Sequence, residues 1–158
     1  MITIKKIHLS EFHNLIIYDE LNMSFENNLD NHHSNVEYFV VLDGAEVLGH
    51  AAIDALPNIS TALIKEIFIL PNARKQGLGD GLLRTVLNYL HNSLFNKAII
   101  KGNEKLHAFL INEGIEEIDF KNLEEEIKDV LLKEGHYTYY TCNMEEFFNR
   151  GCKGIELK

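Results

Sequence analysis

Gly77 and Gly79 stand between an apolar run that ends at Leu70 and an amphipathic stretch that carries on to Ser93. Glycines placed there let the main chain come close to a ligand and turn successive N–H groups toward it, an arrangement that suits a diphosphate. Two other phosphate loops are excluded by residue type. The P-loop needs G-x-x-x-x-G-K-S/T, which is absent, and the dinucleotide fingerprint needs a third glycine where this chain has Leu82. A G-x-G can also be a plain strand-to-helix turn. What argues for a ligand is its setting, with Pro71 and Arg74 ahead of it and a helix directly behind.

Other reactive side chains are scattered. Glu66 lies inside an apolar strand, between Ile64 and Phe68 on its own face, where desolvation favours the protonated carboxyl. His32 and His33, beside Asp30, fall in a polar stretch without fixed ligand spacing, so no metal site is expected. Cys142 and Cys152 form no C-x-x-C pair; thiols are expected, with Cys142 a buried, inert one. The acidic run Glu124 to Glu126 reads as a solvated helix face.

The elements that must position these groups follow from apolar periodicity. Met1 to Ile7 is a weak first strand, and Ser10 caps a helix with Phe12, Leu15 and Ile16 on its inner face. Asn22 to Asn35 reads as a loop or frayed helix. Val36 to Leu42 and Val47 to Leu56 form a hairpin across Asp43-Gly44. Thr61 to Leu70 is a strand with two apolar faces, hence central, and Pro71 stops it. Gly79 to Ser93 is a helix buried along Leu82, Leu83, Val86, Leu87 and Leu90. Lys97 to Lys101 is a strand, and Asn103 caps a helix Glu104 to Glu113 closed by Gly114. Ile115 to Ile118 is a short strand. A helix marked by Leu123, Ile127, Val130 and Leu131 follows, then a last strand Tyr137 to Cys142. The order β-α-β-β-β-α-β-α-β-α-β describes an α/β domain with one mixed sheet and helices on its faces.

The 158 residues, 46% of them hydrophobic, suffice for one domain spanning 1–158. The formal charge of −9 argues against nucleic acid as a partner, because counterion release requires clustered Lys and Arg. No membrane span or signal peptide is read in the chain, so a cytoplasmic protein is expected. The last strand, as a sheet edge, is open to pairing into a homodimer.

The strand with its Ile69-Leu70-Pro71 ending, followed by Arg74-x-x-Gly77-x-Gly79, resembles the pyrophosphate loop of the GNAT acetyltransferase superfamily. A second signature of that family aligns on Asn103, Phe109 and Gly114, with departures at Leu106, Leu110 and Ile115. The likeness covers residues 36 to 118. It implies a mostly antiparallel sheet flanked by helices and splayed between strands four and five. It also implies acetyl-CoA as co-substrate and an amine acceptor on a small molecule, peptide or protein. In that reading Ile67, Phe68 and Ile69 line the pantetheine, with main-chain groups of Ile67 and Ile69 pairing its amides. Arg74, Lys75, Gln76, Gly77, Leu78, Gly79 and Asp80 form the pyrophosphate loop, and Asn103 and Phe109 belong to the same cofactor site.

Acetyl transfer to an amine requires a base, donors that polarise the thioester and often an acid for the thiolate. The resemblance places the acid at Leu110, where the family's tyrosine is missing. Glu66 is the candidate base and Tyr139 the candidate acid, with Tyr137, Tyr140 and His107 behind it. Strand alternation counts against Glu66, since the family's strand-four glutamate aligns nearer Leu63 on the other face. A binding module that holds acyl-CoA without chemistry is the alternative. The acceptor pocket is assigned to residues 19–35 and 119–158, where the likeness is weakest.

Overall fold

The structure, a computed structural model, describes residues 1–19, 21 and 36–149. The expected loop at Asn22–Asn35 with Asp30, His32 and His33, and also Cys152, lie outside the described residues.

Seven strands form one mixed sheet: β1 (Ile2–Ile7), β2 (Val36–Asp43), β3 (Glu46–Leu56), β4 (Thr61–Ile69), β5 (Lys97–Gly102), β6 (Glu116–Glu117) and β7 (Thr138–Asn143). Their order is β1-β2-β3-β4-β5-β7-β6, antiparallel except for the parallel β4–β5 pair. Helices among the described residues include α1 (Leu78–Asn92), α2 (Glu104–Asn112), α3 (Glu125–Glu134) and α4 (Met144–Asn149). The expected mixed α/β sheet is therefore what forms. None of the helices in the described residues is long and apolar enough to cross a membrane.

The chain resolves into two compact units, whose boundaries fall at the end of β3, inside β4 and near the end of α1. The first holds the described residues of Met1–Ala55 together with Ile64–Tyr89. Here β1 pairs with β2 along its whole length, from Ile2 opposite Asp43 to Ile7 opposite Tyr38. The β2–β3 hairpin carries a bulge between Val41 and Leu42 and closes Asp43 onto Glu46. Its turn is thus Gly44-Ala45, one residue later than the dipeptide expected from sequence. Leu82, Leu83, Val86 and Leu87 of α1 are buried as their spacing requires. Each such side chain contributes roughly 1.5–3 kcal/mol, which makes this stripe the main reason the segment is helical.

The expected first α-helix is instead a 3-10 helix over Leu9–Asn14, and Ile16 is exposed. Its backbone has a different task. The Ile16 amide donates to the Ala45 carbonyl and its carbonyl accepts from Val47 N–H, both at 2.9 Å, a short parallel bridge that draws the chain out of helix.

The second unit contains Leu56–Leu63 and the described residues from Leu90 on. Leu63, Ile99, Ile127, Leu131 and Tyr139 form its core cluster, with Ile118 and Leu123 packed beside them. β7 pairs with β5 on one side, from Lys97 opposite Asn143 to Gly102 opposite Thr138, and with β6 on the other. The expectation that the last strand is a free edge is therefore corrected: β6 returns to cover it, as does the Ile118 amide, which donates to the Tyr139 carbonyl at 2.9 Å. α4 was not foreseen, because its six residues are too few to show a period; Met144 and Phe147 are its buried anchors.

Gly49 on β3 leaves the room in which β4 ends. A Cβ there would stand 2.5 Å from the Phe68 carbonyl oxygen and 2.5 Å from the Ile69 side chain. We expect Gly49→Ala to lower stability by about 1–3 kcal/mol through overpacking, read as a fall in the urea midpoint without a change in slope.

Candidate functional site

The glycine loop is built by four local decisions. Leu70 N–H donates to the Leu48 carbonyl at 2.8 Å, holding the end of β4 beside β3. Pro71–Ala73 then form one turn of 3-10 helix, whose Ala73 is buried. Arg74 turns back: its Nε donates to the Ile69 carbonyl at 2.9 Å, and its guanidinium lies 5.5 Å from the centre of the Phe68 ring. Finally Lys75 and Gly77 take left-handed conformations, with φ of +66° and +76°. Alternation of that kind curls consecutive N–H groups into a concavity that accepts an anion.

Helix α1 opens at the next residue, and its first bond runs from Gly81 N–H to the Gly77 carbonyl at 3.0 Å. The N–H groups of Leu78, Gly79 and Asp80 therefore have no intrahelical acceptor and lie at the positive end of the helix. Arg74, Lys75, Gln76 and Gly77 are exposed, Leu78 is buried as an anchor, and a Cβ built on Gly77 would meet nothing within 4 Å. The loop thus combines donors, open approach and a fixed base. Asp80 brings a carboxylate to the first turn of α1, and Arg84 one turn later pairs with it at 2.9 Å. The Arg74 side chain turns back onto the strand. Its Nε ties the loop to β4, occupying one acceptor site on the Ile69 carbonyl that was expected to pair with pantetheine.

On β4, Ile67 and Ile69 are buried while Glu66 and Phe68 are half-buried. Glu66 Oε2 lies 3.4 Å from Nε2 of His50 on β3, and His50 is wholly buried. Sequence reasoning missed this partner. The signal was present as a single histidine in the apolar run Val47 to Ile53. The Tyr38 hydroxyl on β2 holds its proton more tightly than usual, because of burial first and the Glu66 charge second.

In the second unit the Asn103 side chain accepts from Leu106 N–H at 3.0 Å, the N-cap its position predicted. Phe109 is half-buried on α2 and Leu110 is fully buried. The candidate acid Tyr139 lies among apolar side chains. Its hydroxyl reaches the carbonyls of Gly135 at 3.0 Å and Leu131 at 3.3 Å, at the C-terminal end of α3, and its ring belongs to the core cluster. Tyr140, its neighbour, is instead tied to His107: the hydroxyl and Nδ1 are 2.6 Å apart. A Cβ on Gly102 would clash with the Tyr140 ring, so this ring packs against the glycine. Tyr137 is exposed, with its ring edge-on to Tyr139 and Lys101 Nζ 3.9 Å from its centre.

The family model for GNAT acetyltransferases matches residues 3–110, a span that includes β1 to β5, the loop and most of α2. The chain belongs to the GNAT acetyltransferase family. Its members use acetyl-CoA and transfer acetyl groups, so the chain is an N-acyltransferase by class. Solved structures of the same fold include a GNAT acetyltransferase from Staphylococcus aureus, with 18% identity and a TM-score of 0.70 over 91% of this chain and 99% of that one. N-acetylglutamate synthase from Neisseria gonorrhoeae, complexed with coenzyme A and N-acetylglutamate, shows 14% identity and a TM-score of 0.70 over 91% of this chain and 35% of that one. An acetyltransferase from Streptococcus agalactiae shows 20% identity and a TM-score of 0.64, covering 90% and 98%. No curated protein matches the sequence.

Burial raises the Tyr139 pKa to about 12 from 10, with the charges of Glu134 and Tyr137 adding to it. The folded state therefore favours the protonated phenol. That stabilisation is complete below pH 10 and is lost as the pH rises from 10 to 12, by up to about 2–3 kcal/mol. Tyr139→Phe is expected to lose about 1 kcal/mol at neutral pH and to flatten this alkaline limb in urea unfolding followed across pH.

Proposed function

We propose that the chain is a single N-acetyltransferase domain over residues 1–158 that transfers acetyl from acetyl-CoA directly to a primary amine. The observation that carries this reading is the loop from Arg74 to Asp80. Two left-handed residues and a helix N-terminus aim main-chain donors at one open point, which fits a diphosphate without requiring a basic surface. Main-chain groups of Ile67, and of Ile69 on its remaining lone pair, would lie along the pantetheine.

Glu66 is the proposed base. Acetyl-CoA supplies an activated carbonyl; the amine nitrogen bonds to that carbon, the carbon–sulfur bond breaks, and coenzyme A departs as thiolate. Glu66 takes the ammonium proton, directly or through one water. The thiolate takes its proton from solvent, because Leu110 stands where the family's tyrosine would be and the Tyr139 hydroxyl is bound to α3 carbonyls. Those same two residues motivate the second reading, an acyl-CoA-binding module with little chemistry.

The test begins with calorimetric titration of acetyl-CoA and of coenzyme A into wild type and Gly79→Trp. Wild type is expected to bind both, and the bulky residue in the first turn of α1 to weaken binding by tenfold or more. Thiol release is then followed with spermidine, kanamycin, glutamate and a lysine-containing peptide. Release with one of these amines is the expected result. Binding without release would favour the binding module, and no binding by wild type would overturn the proposal.

A further inference from the structure

Inside the first unit, an imidazole on β3 is enclosed among apolar side chains. His50 is 0% exposed in the middle of β3, and a buried imidazole is costly unless its nitrogens are hydrogen-bonded. Its face of the sheet can be derived. Phe39 packs edge-on against Tyr89 of α1 with ring centres 5.2 Å apart, and Phe39 stands opposite Ala51. Side chains alternate along strands, so Phe39 and Ala51 face α1 while Tyr38 and His50 face the other side. Glu66 joins that side through its 3.4 Å contact with His50 Nε2. Phe68, two residues on, does the same, with its ring centre 6.2 Å from that of His50. Three neighbouring strands thus contribute Tyr38, His50 and Glu66 to one polar cluster under an aromatic ring.

Exposure differs sharply across the pair. The Glu66 side chain is 28% exposed and the His50 side chain 0%. The carboxylate can be reached from outside while its Oε2 is held from inside. We propose that His50 is a positioning residue for Glu66, its Nε2–H donating to Oε2 and fixing the rotamer in which the carboxylate meets the acceptor amine. The imidazole is too deeply buried to touch that amine, so its effect on turnover passes through Glu66. A carboxylate on a strand has several rotamers within reach, and catalysis requires one to be held to within about half an ångström. The proposal rests on the reading of Glu66 as the base.

The test uses the full chain with four variants: His50→Gln, His50→Leu, Glu66→Gln and the double variant His50→Leu/Glu66→Gln. Glutamine keeps an N–H donor where Nε2 stands; leucine removes it. With the amine that gives the fastest thiol release among the four named above, His50→Leu should lower kcat about tenfold or more, with the acetyl-CoA Kd changed less than about twofold. His50→Gln should recover kcat to within about threefold of wild type. In the Glu66→Gln background the leucine should cost less than a further twofold, since the group it positions is gone. An equal loss in both backgrounds, or a glutamine as damaging as leucine, would overturn the proposal. If Glu66→Gln alone leaves kcat unchanged, it is the assignment of the base that fails. A second measurement needs neither turnover nor a variant that folds poorly. Side-chain 1H–15N correlation of wild-type His50 at pH 8 should show the proton on Nε2; a proton on Nδ1 with bare Nε2 would overturn the inference on its own.

Discussion

The hydrogen bond from Arg74 Nε to the Ile69 carbonyl is the tie on which the candidate site depends. β4 ends at Ile69 and α1 begins at Leu78, so eight residues must leave the strand, reverse and enter a helix at a fixed point. A segment of that length has many conformations, and each ordered residue costs roughly 1–2 kcal/mol of entropy. Arg74 closes the first half of the path by joining its own position to the strand end it has just left, while its guanidinium lies over Phe68. The Leu70 amide does the same toward β3. Only the stretch from Lys75 to Gly77 then remains to be shaped, and two left-handed residues shape it. Arg74, the residue that opens the loop motif in sequence, thus fixes the path of the main chain that follows it.

What was legible in the sequence was local. The loop, the stripe of α1, the Asn103 cap and the closing Gly114 all depend on residues within a few positions of each other, and each formed where its spacing placed it. What was not legible depends on register between distant strands. That His50 meets Glu66 follows only from how β3 lies beside β4, and that β6 covers β7 requires a two-residue strand too short to show a pattern. The N-terminal segment misled for a related reason. Its apolar residues are spaced for a helix, yet the main chain of Ile16 pairs with the hairpin, and hydrogen-bonding to Ala45 and Val47 overrides a weak local preference.

The tyrosines of β7 show how a single residue step separates roles. Tyr139 and Tyr140 are adjacent, so they point to opposite faces of the strand. The first places its hydroxyl on the carbonyls ending α3, where the last turn of any helix lacks partners. The second reaches over Gly102 to His107 on α2. Composition ranks these two rings as equals for acid chemistry. Their surroundings do not: one hydroxyl is directed to main-chain carbonyls inside an apolar cluster, the other to an imidazole nitrogen.

The charge balance of the molecule is consistent with this economy of side chains. A protein with formal charge −9 repels a polyanion at long range, and clustering lysines would be the direct remedy. In the proposed reading the loop would use main-chain N–H groups instead, which carry partial positive charge whatever the net charge of the chain. Short-range donors of this kind lose little to salt screening, whereas surface charges are screened over roughly 8–10 Å. Even the carboxylate of Asp80, which would oppose an anion at the helix start, is countered within the same helix by Arg84. The acidic surface therefore remains compatible with a phosphate-bearing ligand.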